Sequence, residues 1–91
     1  MIIQYFAMLR DCTGVKEENY QLAAPNLGVL LNELSKRYGP AFRKWVLTPE
    51  GDLCDLAIVL VNGRDARENG RLEMPLSPQD VICIFPPVAG G

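Results

Sequence analysis

The residues best suited to chemistry lie at the C-terminal end, where Pro86-Pro87-Val88-Ala89-Gly90-Gly91 runs off an apolar segment and closes on a Gly-Gly carboxylate. Glycine has no Cβ, so such a pair can enter a channel too narrow for other residues and let another protein's backbone approach closely. Pro86 and Pro87 cannot donate sheet hydrogen bonds and favour an extended polyproline path, which predicts that they end the sheet and hold the tail away from the body. At roughly 3.1 Å per residue, such a tail reaches on the order of 19 Å. Its terminal carboxylate is therefore a candidate reactive group, delivered into another protein's active site. The other side chains offer less. Cys12, Cys54 and Cys83 are odd in number and widely spaced, and histidine is absent, so neither a disulfide framework nor a zinc site is indicated. Ser-His and Cys-His mechanisms also need a base that the chain lacks. Cys83, within Val81-Ile82-Cys83-Ile84-Phe85, reads as a small packing residue. Asp52 and Asp55 fall in a polar loop and Glu17 and Glu18 beside a short strand; with no pair set across a cleft, all four read as solvated surface. Gly91 and Gly90 remain as the candidate reaction-centre residues, and no metal site is expected.

These few residues must be carried by a small body. The chain has 91 residues, of which 48% are hydrophobic and 22% charged, the profile of a single globular domain with one modest core. Its net charge is −2 and no basic cluster exceeds Lys36-Arg37 or Arg43-Lys44, so there is no electrostatic footprint for nucleic acid or an anionic membrane. No apolar run approaches the roughly 20 residues of a membrane span. The start, Met1-Ile2-Ile3-Gln4-Tyr5, lacks the basic opening and cleavage site of a signal peptide. A reduced, cytoplasmic protein is the expectation.

Along the chain, residues 2–9 form a β-rich run in which Ile3, Tyr5 and Ala7 alternate with Ile2, Gln4, Phe6 and Met8, predicting a strand with one face committed to the core. After a turn at Asp11-Cys12-Thr13-Gly14, residues 17–22 predict a second strand in an antiparallel hairpin. Asn26 is a good helix N-cap, Leu27, Leu30, Leu31, Leu34 and Tyr38 recur at helical spacing, and Gly39 can close the helix in the left-handed region. The leucine stripe reads as core-facing. Residues 40–46 predict a short helical turn bearing Phe42 and Trp45, and Pro49-Glu50-Gly51-Asp52 a turn. The aliphatic run 56–61 ends at Asn62-Gly63, a hairpin signal. A short strand at 64–67, a turn at Glu68-Asn69-Gly70, a segment 72–76, a Ser77-Pro78 turn and a last strand over 81–85 complete the order β-β-α-β-β-β. This pattern predicts an α+β fold with one principal helix packed across one face of the sheet.

Phe6-Ala7-Met8-Leu9-Arg10-Asp11, then Gly14, the helix, Val61-Asn62-Gly63 and Phe85-Pro86-Pro87-Val88-Ala89-Gly90-Gly91 occur in an order that resembles the small subunit of molybdopterin synthase, the MoaD-like family. The resemblance spans nearly the whole chain, and the Phe-Pro-Pro-Val-x-Gly-Gly ending is its most specific part. Ser77-Pro78-Gln79-Asp80 departs from the more usual glycine-containing turn, and the connection 43–55 is longer than in compact members. The resemblance implies a β-grasp, ubiquitin-like domain over residues 1–85 with a mixed sheet, and an extended tail over 86–91. It implies a non-catalytic, sulfur-donating small subunit. A ubiquitin-activating-like adenylyltransferase would use MgATP to convert the Gly91 carboxylate into an acyl-adenylate and then a thiocarboxylate. The large synthase subunit would take that sulfur to precursor Z in molybdenum cofactor biosynthesis. ATP and Mg would belong to the activating partner, with no cofactor bound by this chain. Other readings are a carrier for thiamine thiazole or a tungsten-linked pterin, a ubiquitin-like modifier joined through Gly91 to lysines, and a non-reactive interaction domain.

If Ile3, Tyr5 and Ala7 face the helix, Phe6 faces away. Ile82 and Ile84 would likewise point inward, leaving Cys83 and Phe85 outward. The β-grasp arrangement makes these strands neighbours, so Phe6 and Phe85 are expected on one sheet face beside the tail root, and an exposed aromatic pair usually marks a partner. Pro86, Pro87, Val88 and Arg10 join them as candidate partner-binding residues. In the core, the helix leucines are expected to pack on Ile3, Tyr5, Ile58, Leu60, Ile82 and Ile84.

Overall fold

In the computed structural model, which describes residues 1–21 and 23–87, the start of the chain pairs with both its second strand and its last. The elements run β1 (Ile2–Tyr5), α1 (Leu9–Thr13), β2 (Glu17–Asn19), α2 (Leu27–Tyr38), α3 (Pro40–Val46), β3 (Ile58–Val61), β4 (Arg64–Asp65) and β5 (Val81–Phe85), with single 3-10 turns at Ala66–Glu68 and Arg71–Glu73. The sheet order is β2-β1-β5-β3-β4. Terminal strands β1 and β5 lie parallel at its centre, and the other pairings are antiparallel. A mixed sheet gripping one principal helix is the β-grasp arrangement.

Helix α2 forms where its sequence signals lie. The Asn26 side chain accepts from the Val29 backbone N–H at 2.9 Å, satisfying a donor that the first helical turn leaves open. Gly39 ends the helix at φ 89°, ψ −175°, a conformation essentially reserved for glycine, and Pro40 then opens α3, where its missing N–H costs nothing. Leu27, Leu30, Leu31 and Leu34 are fully buried together with Ile3, Tyr5, Ile82 and Ile84, each side chain contributing about 1.5–3 kcal/mol by leaving water. Phe42 of α3 completes an aromatic corner. Its ring meets that of Tyr5 edge-on at 6.0 Å, and Tyr38 meets Tyr5 at 5.9 Å, a geometry that opposes positive ring edge to negative ring face. The Asn62-Gly63 turn has φ 54° and 82°, the doubly positive pattern of the tight hairpin that the pair signals.

Four local expectations are corrected. The strand expected over 2–9 stops at Tyr5, because Ala7 adopts φ 53° and turns the chain into α1, whose buried Leu9 packs toward the core; Ala7 itself is exposed rather than inward. Helix α1 therefore occupies much of the stretch expected to be a turn, and Gly14 closes it in the left-handed region at φ 79°. The second strand ends at Asn19, and Leu22, expected at its end, lies outside the described residues. The strand expected over 64–67 keeps only Arg64–Asp65 before the Asp65 side chain accepts from the Arg67 N–H and starts a 3-10 turn.

The largest correction concerns β3. Ile58 and Leu60 do not enter the core: Ile58 is 45% exposed, while Ala57 and Val59 are 1% and Val61 2% exposed. The antiparallel register pairs Val59 with Ile84 and Val61 with Ile82. Residues directly opposite share a sheet face, so the inward set of β5 selects the odd-numbered positions of β3 and turns Ile58 and Leu60 to the other side.

Candidate functional site

The root of the C-terminal tail is built on the outer face of β5. The Phe6 N–H donates to the Ile84 carbonyl at 3.2 Å, prolonging the parallel ladder by one residue beyond β1. Phe6 and Phe85 consequently stand side by side, stacked with centroids 4.2 Å apart and planes 15° from parallel. Both rings are half-buried. Arg10, returned by the turn at Ala7, lays its guanidinium carbon 5.4 Å from the Phe6 ring centroid and donates from Nε to the Tyr5 carbonyl at 2.9 Å. A cation over an aromatic face adds about 0.5–1 kcal/mol at an exposed site. Phe6, Phe85 and Arg10, expected from sequence as partner-binding residues, are thus one contiguous group.

Pro86 is buried and Pro87 half-buried. The last strand ends at Phe85, where the proline pair begins, as expected; Pro86 itself continues the inward alternation of Ile82 and Ile84 and is packed. Val88, Gly90 and Gly91 lie outside the described residues.

Two features of this face were not legible in the sequence. Register sets Ile58 beside Phe85 and Leu60 beside Cys83, so the aromatic pair continues into an aliphatic surface with Ile2 and Val81. The turn before β5 is also fixed by a side-chain latch. Asn62 Nδ2 donates to Asp80 Oδ1 at 2.8 Å, the Ser77 N–H donates to Asp80 Oδ2 at 2.7 Å, and Asn62 Oδ1 accepts the Val81 N–H at 2.9 Å. Asp80 is buried by this. The Ser77-Pro78-Gln79-Asp80 turn therefore replaces glycine's backbone freedom with a side-chain clasp.

Cys83 faces outward as expected, its thiol donating to Gln4 Oε1 at 3.1 Å. Burial pushes the Cys83 thiol up, and burial followed by the Asp55 charge does the same to Cys54. Both are thereby poor thiolates near neutrality, which suits packing rather than nucleophilic roles. Asp52, Asp55 and Glu17 are exposed, as expected. Glu18 is not: its side chain is 16% exposed. Tyr5 and Tyr38 hydroxyls both donate to Oε2, the former at 2.5 Å, and Arg37 donates to Oε1 at 2.8 Å. Facing Ile3 across the β1–β2 pair, Glu18 ties an edge strand to the end of α2. Both tyrosines are held neutral to higher pH than usual, chiefly by burial and then by this hydrogen bond. Among the described residues no helix is long and apolar enough to cross a membrane.

A small mixed sheet wrapped on one helix, with parallel terminal strands and an aromatic-flanked C-terminal root, defines a ubiquitin-like protein. The chain belongs to the ThiS family, whose model matches residues 3–91, a group of small ubiquitin-like sulfur carriers and modifiers. It is 31% identical over 91 residues to small archaeal modifier protein 3 of Haloferax volcanii, an alignment covering 98% of this chain and 96% of the relative. The solution structure of small archaeal modifier protein 1 from Methanosarcina acetivorans is similar with a TM-score of 0.79 at 34% identity, over 99% of this chain and 94% of that one. A proposed molybdopterin converting factor, subunit 1, from Pyrococcus furiosus superposes with a TM-score of 0.73 at 29% identity, over 96% of this chain and 95% of that one.

Proposed function

We propose that this chain is a sulfur carrier for molybdopterin synthesis, with Gly91 as the loaded residue and Gly90 as the slender approach to it. The observation that carries the reading is the Phe-Pro-Pro-Val-x-Gly-Gly ending, supported by the likeness to the proposed molybdopterin converting factor subunit. A free carboxylate is a poor electrophile, because its delocalised negative charge repels nucleophiles. An adenylyltransferase of the ubiquitin-activating kind removes that obstacle by transferring AMP from MgATP to the Gly91 carboxylate with release of pyrophosphate. A sulfur donor then displaces AMP, leaving a thiocarboxylate. The large subunit of molybdopterin synthase accepts the tail and moves its sulfur to precursor Z. The nucleotide, magnesium and catalytic base belong to those partners. Phe6, Phe85, Arg10, Pro87 and Val88 dock the body, and the packed Pro86 anchors the tail root, so that the tail is presented at low entropic cost.

A second reading, a modifier whose Gly91 is joined to lysines of other proteins, is favoured by the similarity to two small archaeal modifier proteins. Intact mass of the protein from its host separates the two. A gain of about 16 Da, oxygen replaced by sulfur, supports the carrier, while lysine-linked adducts support the modifier. Deleting Gly91 should abolish loading by the activating enzyme, ATP and a sulfur donor; a thiocarboxylate on the truncated chain refutes the assignment.

A further inference from the structure

Away from the tail, the chain holds two Asn-Gly pairs, Asn62-Gly63 and Asn69-Gly70. In such a pair the glycine nitrogen can attack the asparagine side chain, because no side chain on the glycine shields it. At the first pair, the Gly63 nitrogen gives its proton to a solvent base and bonds to Asn62 Cγ, and Nδ2 leaves as ammonia after taking a proton from water. Water then adds to one carbonyl of the resulting cyclic imide and reopens it, as an aspartate in the ordinary chain or as its β-linked isomer. Nothing at Gly63 obstructs the first step. Both residues are exposed, nothing lies within 4 Å of where a Gly63 Cβ would stand, and among the described residues the Gly63 N–H has no acceptor.

The restraint lies on the other reactant. Asn62 Nδ2 donates to Asp80 Oδ1 at 2.8 Å and Oδ1 accepts the Val81 N–H at 2.9 Å, so both ends of the amide are held against the start of β5. Ring closure must swing Cγ away from Asp80 toward the Gly63 nitrogen, breaking both bonds. We propose that Asn62 is a deamidation site held shut by the Asp80 clasp, and that its conversion opens the turn leading into β5. The product cannot rebuild the clasp. An oxygen of the new carboxylate takes the place of Nδ2 at 2.8 Å from Asp80 Oδ1, setting two charged acceptors against each other with no proton between them. Asp80 is not free to turn aside, since its Oδ2 accepts the Ser77 N–H at 2.7 Å and its carbonyl accepts the Ile2 N–H at 3.0 Å. Asn69 differs. Its Nδ2 donates to the Asp65 carbonyl at 2.7 Å and its Oδ1 accepts from Arg64 Nη2 at 2.5 Å, so a carboxylate formed there meets a cation. Identical dipeptides thus carry opposite consequences.

The site is independent of the carrier reading, since the clasp stands at the opposite end of β5 from the tail. In the test, the full-length chain is incubated at mildly alkaline pH, native and in guanidinium chloride. Conversion at each asparagine is followed by peptide mass spectrometry as a gain of about 1 Da. Asn62 should convert about 10-fold or more slowly in the folded chain than in the denatured one. Asp80→Ala should bring the folded rate at Asn62 toward the denatured rate and leave that at Asn69 unchanged, which separates loss of the clasp from loss of the fold. Asn62→Asp should lower the thermal midpoint by about 5 °C or more, whereas Asn69→Asp should move it by less than about 2 °C. Combining Asn62→Asp with Asp80→Asn exchanges donor and acceptor, keeps the three hydrogen bonds of the clasp and should restore the midpoint. Equal Asn62 rates in folded and denatured chain, or a folded rate that Asp80→Ala does not raise, overturns the protection. An equal rise at Asn69 assigns the effect to unfolding and overturns it too. A wild-type midpoint for Asn62→Asp, or a double variant no more stable than the single one, overturns the opening of the turn.

Discussion

Replacing Glu18 by Ala removes the one acceptor shared by Tyr5, Tyr38 and Arg37. The three donors do not weigh equally. The Arg37 side chain is 49% exposed, so water substitutes for the carboxylate there and the ion pair contributes about 0–1 kcal/mol. The Tyr5 ring is fully buried, and a hydroxyl left without an acceptor at such a site costs about 1–3 kcal/mol. Tyr38 is half-buried and adds about 0.5–1.5 kcal/mol, the net value of an ordinary hydrogen bond. The expected loss is about 2–4 kcal/mol, a large share of the roughly 5–15 kcal/mol typical of a domain. Urea unfolding read by circular dichroism measures it, with an unchanged slope showing that only stability has moved. Arg37→Ala should cost under about 1 kcal/mol, and a double-mutant cycle of Glu18→Ala with Tyr38→Phe should show coupling of about 0.5 kcal/mol or more. A Glu18→Ala loss below about 1 kcal/mol, or an Arg37→Ala loss equal to it, refutes the assignment of the stabilisation to the buried tyrosine side.

The same cluster sets an alkaline limit. Tyr5 and Tyr38 titrate higher in the folded chain than the ordinary 10.0, so the unfolded chain loses those protons first, and stability, full below about pH 10, should fall above it. Tyr38→Phe should flatten that fall, measured by urea midpoints across the range. The facing of β3 predicts that Val59→Ala costs roughly 2 kcal/mol and Ile58→Ala less than about 1 kcal/mol; denaturation midpoints in the reverse order would contradict the register. Phe6→Ala and Phe85→Ala should each lose about 0.5–1.5 kcal/mol of stability from the broken stack, yet weaken binding to the activating enzyme or large subunit by about 2 kcal/mol or more. Unaltered affinity by titration calorimetry would move the docking surface toward the groove of about 470 Å³ lined by Pro40, Arg43, Lys44, Leu47, Thr48, Pro49 and Cys54.

The features that sequence alone determined are those whose cause is local. Helix α2 carries its own N-cap at Asn26, its apolar stripe and its terminator Gly39 within one short stretch. Strand β5 and the Asn62-Gly63 hairpin are likewise set by alternation and turn chemistry at the residues concerned. The adjacency of Phe6 and Phe85 followed from parity once their strands were neighbours, because successive side chains of a strand point to opposite faces. Tertiary structure decided the rest. Residues 56–61 are aliphatic on both faces, so only pairing with β5 could choose which of Ile58 and Val59 is buried. The first strand's apolar run gave no reason to stop at Tyr5; the left-handed turn at Ala7 and the burial of Leu9 against the body did that. Glu18 read as surface because its partners stand 13, 19 and 20 residues away. A carboxylate is solvated or buried according to what folds over it, and that is a property of the assembled chain rather than of its neighbours in sequence.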